Sequence, residues 1–359
     1  MHTALIFGME NYITKKLNIG KVAIGGGESV KIQSMCTTKT SDVENTSAQI
    51  NRLAEAGCDI VRVSVLDEND AAAIKLLKEK CALPIVADIH FSYKLAVAAI
   101  ESGCDKVRIN PGNIGGDSEI KAVADCIKAH KIPVRVGANT GSIEKGYLEK
   151  YGKNEKSLVE SALYNARILE KYGVNDIVIS VKASSAELTY KAYSLLAQRC
   201  AYPLHIGVTE AGTKQMAVVK SSAALGALLL NGIGDTMRVS ITGDPVEEIY
   251  AAKMLLRAVG MDKNYVDVIS CPTCGRCQWD VISLADKVNE RVKGIDKPLK
   301  VAVMGCVVNG PGEAKDCDLG IAGSKEYCVI FRNGEIIRRV AAADAEREFF
   351  KELDGILND

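Results

Sequence analysis

Between residues 31 and about 241, short β-branched runs alternate with longer stretches whose apolar positions recur at helical spacing. The strand candidates are residues 31 to 36, 59 to 65, 84 to 90, 106 to 110, 133 to 139, 176 to 184, 204 to 210 and 235 to 242. Between the first two, NTSAQINRLAEAG (45 to 57) places Ile50, Leu53 and Ala54 on one helical face and ends at Gly57. Eight β-then-α units over about 210 residues predict a closed parallel (β/α)8 barrel, the TIM barrel, and not an open doubly wound sheet. No G-x-G-x-x-G opens the first unit, which weighs against dinucleotide binding. The glycines of KVAIGGGESVKIQ are expected to form a hairpin turn closing the barrel floor.

After Gly260 the pattern changes. VDVIS leads into CPTCGRC, followed by an amphipathic helix from about Asp280 to Val292, a strand at 300 to 304 and the loop MGCVVNGPGE. A hairpin turning at Asn333 and Gly334 and a last helix from about Asp344 to Leu357 complete a smaller α+β unit. The expected boundaries are 1–262 for the barrel and 263–359 for the second domain.

Composition narrows the function. Lys plus Arg and Asp plus Glu both number 45, so no bulk charge points to nucleic acid or an anionic membrane surface. The N-terminus lacks the pattern of a signal peptide and no stretch approaches a membrane span, so a soluble, cytoplasmic protein is expected. In that compartment the 12 cysteines mean buried thiols, catalysis or metal. Cys58, Cys81, Cys104, Cys126 and Cys200 stand alone and are expected to be small buried side chains; Cys36, after the first strand, is less clear-cut.

The second domain holds half of the cysteines in about a quarter of the chain. In Cys271 and Cys274 a two-residue gap lets both sulfurs face one metal. Cys306 sits between a strand and a Gly-rich turn, where backbone can bend closely around a bulky cofactor. Cys277, Cys317 and Glu313 are candidates for a fourth ligand. A zinc ribbon normally has a second, separate C-x-x-C, and beyond the overlapping CPTCGRC this region has none. A catalytic dithiol is the other alternative, although such motifs usually open a helix after a thioredoxin-like strand. An iron–sulfur cluster on three thiolates and one different ligand fits best.

Active sites of parallel barrels are built from the C-terminal strand ends. Those ends carry Arg62, Asp88, His90, Arg108, Asn110, Arg135, Asn139, Lys182, Glu210, Arg238 and Ser240. Five cations with two evident acidic neighbours, Asp88 and Glu210, call for an anionic ligand, because unpaired buried charge costs several kcal/mol per ion. Arginine forks match phosphate oxygens in pairs, so a ligand with more than one phosphate is expected. The INPGNIGG loop at 109 to 116 is expected to add backbone N–H donors.

CPTCGR, MGCVVNGPGEA, IQSM, VRVSV, ADIHF, VRINPGN, VRVGAN, SVKAS, GVTEAG and DTMRVS, which occur in family order, together resemble the bacterial 4-hydroxy-3-methylbut-2-enyl diphosphate synthase family of the non-mevalonate isoprenoid pathway. The likeness covers nearly the whole chain. It implies reductive ring opening and dehydration of 2-C-methyl-D-erythritol 2,4-cyclodiphosphate, with flavodoxin or ferredoxin as electron donor. It also implies a [4Fe-4S] cluster on Cys271, Cys274, Cys306 and Glu313. The substrate anchors it implies are Arg62, Arg108, Arg135, Asn139, Lys182, Arg238 and Ser240, with Asp88, His90 and Glu210 near the reacting carbons. Glu210 is the candidate proton donor; its alternative role is to neutralise Lys182 or Arg238. Cys277 departs from the family pattern and could compete with Glu313. A head-to-tail homodimer is the implied working unit. Two rival readings are a dihydropteroate synthase-type barrel with a zinc domain and a non-enzymatic zinc-ribbon module.

Overall fold

The structure, a computed structural model, describes residues 12–307, 312 and 314–358. Two compact units divide the chain, Met1–Met261 and Asp262–Asp359.

The first unit opens with a hairpin, β1 (Leu17–Ile19) and β2 (Val22–Ile24). Leu17, Ile19 and Ile24 pack against Ile60, Val86 and Val178, the lowest inward side chains of three later strands, and so stopper the barrel floor. The floor hairpin is present, but GGGES is not its turn: the chain reverses at Gly20 and Lys21, where Gly20 has φ +55°. Gly25, Gly26 and Gly27, all at positive φ, instead carry the chain from β2 toward the next strand.

The barrel strands follow: β3 (Lys31–Met35), β4 (Ile60–Ser64), β5 (Ile85–Asp88), β6 (Lys106–Arg108), β7 (Val134–Asn139), β8 (Ile177–Lys182), β9 (His205–Gly207) and β10 (Thr236–Arg238). Their order is β8-β7-β6-β5-β4-β3-β10-β9. A parallel bridge between Ile179 and Leu204 joins β8 to β9. Each predicted strand is found, trimmed at its ends where the ladder stops.

Helices cover the outside. The first, Val43–Ala56, is capped by Asp42, whose side chain accepts from the Asn45 N–H, and ends at Gly57 in the left-handed conformation. Ile50 and Leu53 face the core as the helical spacing requires. Among strands, β7 and β8 approach closely: a Cβ on Gly137 would lie 2.2 Å from both the carbonyl oxygen and Oγ of Ser180. Gly137→Ala is therefore expected to lower stability by about 1–3 kcal/mol, the usual cost of overpacking, read as a fall in Tm by calorimetry.

The second unit is a mixed sheet in the order β11 (Val266–Ser270), β12 (Leu299–Met304), β13 (Leu319–Gly323), β14 (Tyr327–Arg332) and β15 (Glu335–Ala341). The first three are parallel, the last three antiparallel. β14 and β15 turn at Asn333 (φ +49°) and Gly334 (φ +80°), the left-handed pair that an Asn-Gly hairpin turn demands. Helices Val281–Arg291 and Ala345–Asn358 bury Leu284, Val288, Phe349 and Leu353 against Val301, Val303, Ile321 and Ile330 on one face of the sheet. A smaller apolar cluster uses the alternate strand positions Met304 and Phe331, joined by Cys317 just before β13. The strand β13, LGIAG, was not foreseen from the sequence.

Candidate functional site

Strand register sets the barrel mouth. Asp88 pairs with Arg108 and Arg108 with Arg135 across β5, β6 and β7; Met35 pairs with Arg62, and Asn139 with Lys182. Alternate residues of a strand share a face, so these side chains converge. They enclose a cavity of about 240 Å³ lined by Met35, Arg62, Asp88, His90, Arg108, Arg135, Asn139, Ser180, Lys182, Thr209, Arg238 and Ser240.

Asp88 is buried at its centre. Its carboxylate lies 3.6 Å from Arg62, 3.2 Å from Arg108 and 3.5 Å from His90 Nε2. Burial pushes this carboxyl upward, but Arg62, the His90 contact, Arg108 and Arg135 together outweigh it and hold it well below the usual carboxylate range. Arg62 is lowered to about 10 by burial, with Asp88 opposing. It also donates to the Met35 thioether from Nε at 3.1 Å and Nη2 at 2.7 Å.

Arg135 and Lys182 are different. Both are buried, and neither has a carboxylate within ion-pairing distance among the described residues. Arg135 Nε and Nη1 find no hydrogen-bond acceptor there. Burial, then the neighbouring arginines, push Arg135 and Lys182 well below their ordinary values. One layer lower, Lys106 and His205 are fully buried and shifted down by burial and by the cations above. The mouth is thus a strongly positive, desolvated cavity.

The structure brings together every barrel residue the sequence singled out for the site except Asn110, whose side chain instead accepts the Gly112 N–H, and Glu210. Glu210 is exposed, at φ +53°, and does not line the cavity. Nor does it neutralise Arg238: the partner is Glu248, from the helix Pro245–Ala258, at 2.8 and 3.0 Å. Sequence reading missed Glu248 because it looked only at strand ends; a lone acidic residue on the inner face of the helix after the last strand was the available signal. Met35, Ser180 and Thr209 were also missed as liners. In the INPGNIGG loop three N–H groups are already engaged by the protein: Gly112 reaches the Asn110 and Asn165 side chains, Asn113 the Asn110 carbonyl, and Gly116 the Glu119 carboxylate.

Elsewhere in the barrel, Cys36, Cys58 and Cys104 are buried, while Cys81, Cys126 and Cys200 are half-buried. Burial pushes the Cys36 thiol up to about 12, which makes it an inert core group.

In the second unit the thiols gather after β11 and β12. Cys271 Sγ accepts the Gly305 N–H at 3.0 Å. A Cβ at Gly305 would lie 2.9 Å from Cys277 Sγ and 3.2 Å from Cys271 Sγ, so glycine lets both sulfurs crowd this strand end. Cys274 is exposed, and hydrogen bonds from the backbone and side chain of Arg276 hold its thiol below the usual range. Cys306 follows Gly305 and is half-buried. Cys277 donates to the Trp279 carbonyl at 3.3 Å. Cys317 is fully enclosed with Phe331 and Met304, its thiol raised to about 11 by burial, as a packing residue is. Glu313 lies outside the described residues. Among the described residues no three of His, Cys, Asp and Glu already form a metal cage. The donor set nevertheless fits a thiolate-bound group: free cysteines on two adjacent loops, one accepting a backbone N–H and another biased toward thiolate.

The GcpE TIM-barrel domain matches residues 14–253, and the GcpE protein C-terminal domain matches residues 267–355. This chain belongs to the GcpE family. It is 52% identical over 348 residues to the 4-hydroxy-3-methylbut-2-en-1-yl diphosphate synthase (flavodoxin) of Caldanaerobacter subterraneus subsp. tengcongensis, covering 97% of this chain and 98% of that one. The Bacillus subtilis protein of the same name is 51% identical over 95% of this chain and 91% of its own length. Among solved structures, dihydropteroate synthase from Yersinia pestis aligns with TM-score 0.50 at 11% identity, over 68% of this chain and 98% of its own. N-acetylneuraminic acid synthetase from Leptospira borgpetersenii aligns with TM-score 0.51 at 12% identity, over 79% and 99%. These two share the barrel fold and nothing more is carried from them. No helix among the described residues is long and apolar enough to cross a membrane.

Proposed function

We propose that the chain is a 4-hydroxy-3-methylbut-2-en-1-yl diphosphate synthase that reductively opens 2-C-methyl-D-erythritol 2,4-cyclodiphosphate and removes water, using two electrons from flavodoxin. Similarity to enzymes of that name across both domains supports the reaction. The observation that carries the substrate assignment is the pair of buried cations, Arg135 and Lys182, left without carboxylates in the barrel mouth. A cyclic diphosphate supplies the missing negative charge, and its non-bridging oxygens suit the unpaired Arg135 donors.

Each barrel residue then has work that its position permits. Arg62, Arg108, Arg135, Lys182 and Arg238 hold the diphosphate, and Asn139 and Ser240 fix its orientation. As the carbon–oxygen bond of the ring breaks, charge on the diphosphate grows, and a preorganised cationic wall stabilises it more than bulk water does. Asp88 keeps Arg62 and Arg108 aimed inward and locates His90 at the rim. Glu210, exposed and next in the chain to the lining residue Thr209, is the proposed proton donor to the departing hydroxyl.

Cys271, Cys274, Cys306 and Glu313 are the proposed holders of a [4Fe-4S] cluster. When bound, such a cluster supplies electrons one at a time. Cys277, committed to the Trp279 carbonyl, is read as a packing thiol. A cytoplasmic location and a head-to-tail homodimer accompany this reading, on the family resemblance.

Anaerobically purified protein with a chemical reductant is expected to convert the cyclodiphosphate to the linear allylic diphosphate, followed by phosphorus NMR. Protein carrying iron and sulfide that leaves this substrate unchanged would refute the assignment.

A further inference from the structure

Glu248 sits outside the cavity lining yet touches three of the elements that build it. It is only 2% exposed and lies in the first turn of the helix Pro245–Ala258, whose N-cap is Asp244. Its Oε2 accepts from Ser34 Oγ at 2.7 Å and Arg238 Nε at 3.0 Å. Its Oε1 accepts from Arg238 Nη2 at 2.8 Å and the Ile241 N–H at 3.2 Å. Four donors thus converge on one buried carboxylate. They come from β3, from the neighbouring β10 and from the loop after β10 that carries Ser240.

This is a bidentate grip on the Nε edge of the guanidinium. The remaining nitrogen, Arg238 Nη1, is directed to the Met35 side of the cavity, 3.7 Å from Sδ. An arginine with two nitrogens fixed in one plane has lost most of its rotamer freedom before any ligand arrives. The Ile241 contact ties down the backbone one residue beyond Ser240, so two cavity liners are set by the same carboxylate.

We infer that Glu248 is a positioning residue for the reaction, orienting Arg238 and the Ser240 loop toward the diphosphate at the seam where β10 meets β3. The inference rests on the substrate reading above. It opposes simple electrostatics: deleting a carboxylate behind a cationic cavity should tighten binding of any anion, whereas losing the grip should damage productive geometry. Misplacement of about 1 Å at such a contact can cost about 100-fold in rate.

The test uses holoenzyme and two ligands. For Glu248→Gln, kcat/KM for the cyclodiphosphate is expected to fall about 10- to 100-fold, the range set by such misplacement. The affinity for inorganic diphosphate, measured as competitive inhibition, is expected to hold or rise. In the Arg238→Met background the same substitution is expected to cost several-fold less than in the wild type, leaving only the Ser240-loop contribution, because a residue acting largely through another is not additive with it. Parallel loss of turnover and diphosphate affinity, an unchanged kcat/KM, or full additivity with Arg238→Met would each overturn the inference. Should Glu248→Gln fail to fold, Arg238→Met/Glu248→Gln against wild type still decides, since removing both partners leaves no stranded buried charge, and a kcat/KM equal to wild type in that double variant would overturn the inference. Wild-type holoenzyme that neither turns over the cyclodiphosphate nor binds diphosphate would instead sink the substrate reading.

Discussion

Cys271→Ala is expected to yield colourless protein without acid-labile sulfide and with turnover reduced by at least about 1,000-fold, since a proposed holder of the electron-carrying group is removed. The sulfur lies at the end of β11, accepts the Gly305 N–H at 3.0 Å and shares the space over that glycine with Cys277. No neighbouring oxygen or nitrogen side chain is placed there by the described contacts to substitute for it. Cys317→Ala is the matched control. Its thiol is fully enclosed and raised by burial, so removal is expected to trim packing by about 1–2 kcal/mol while iron and sulfide contents stay at wild-type levels. Iron and sulfide analysis beside a thermal melt reads both variants, and loss of iron from Cys317→Ala alone would reverse the assignment.

Arg135→Met is expected to separate activity from stability. The guanidinium is 2% exposed, lacks acceptors at Nε and Nη1, and stands in register beside Arg108 with Arg62 adding repulsion. A buried charge in that state costs the empty enzyme stability, and a similar-sized apolar side chain relieves the cost. Thus Tm of the ligand-free variant is expected to rise, by a few degrees for roughly 1–2 kcal/mol in a domain of this size. Turnover moves the other way. Loss of a charge-assisted, partly bidentate contact worth about 3–4 kcal/mol corresponds to a kcat/KM lower by about 100- to 1,000-fold. Urea or thermal unfolding together with anaerobic kinetics gives both numbers. A variant that is less stable and equally active would remove Arg135 from the substrate site.

Both variants probe groups whose stabilising partner is absent from the folded chain alone. The same reasoning explains why Asp88 differs from Glu210. Asp88, enclosed by Arg62, Arg108 and His90, organises the cavity whether or not substrate is present. Glu210 is exposed, so its proposed contribution is confined to turnover.

The sequence by itself determined the barrel and the identity of most groups at its mouth. Alternating β-branched runs and amphipathic helices have few ways to bury their apolar faces other than this one, and strand parity carries Arg62, Asp88, Arg108 and Lys182 to one end without further information. The placement of Cys271 and Cys306 just after β11 and β12 was legible for a similar reason, since each follows a short strand. Tertiary structure alone decided which charges are satisfied. Glu248 reaches Arg238 from a helix 10 residues downstream, a pairing fixed by how that helix lies on β3 and β10 and not by any local pattern. It also decided the fate of the spare thiols, enclosing Cys317 behind Phe331 while leaving Cys274 exposed, because enclosure is a property of neighbours far apart in the chain. LGIAG carries little strand propensity of its own and becomes β13 because β12 and β14 supply ladder partners on both sides, so burial overrides local preference.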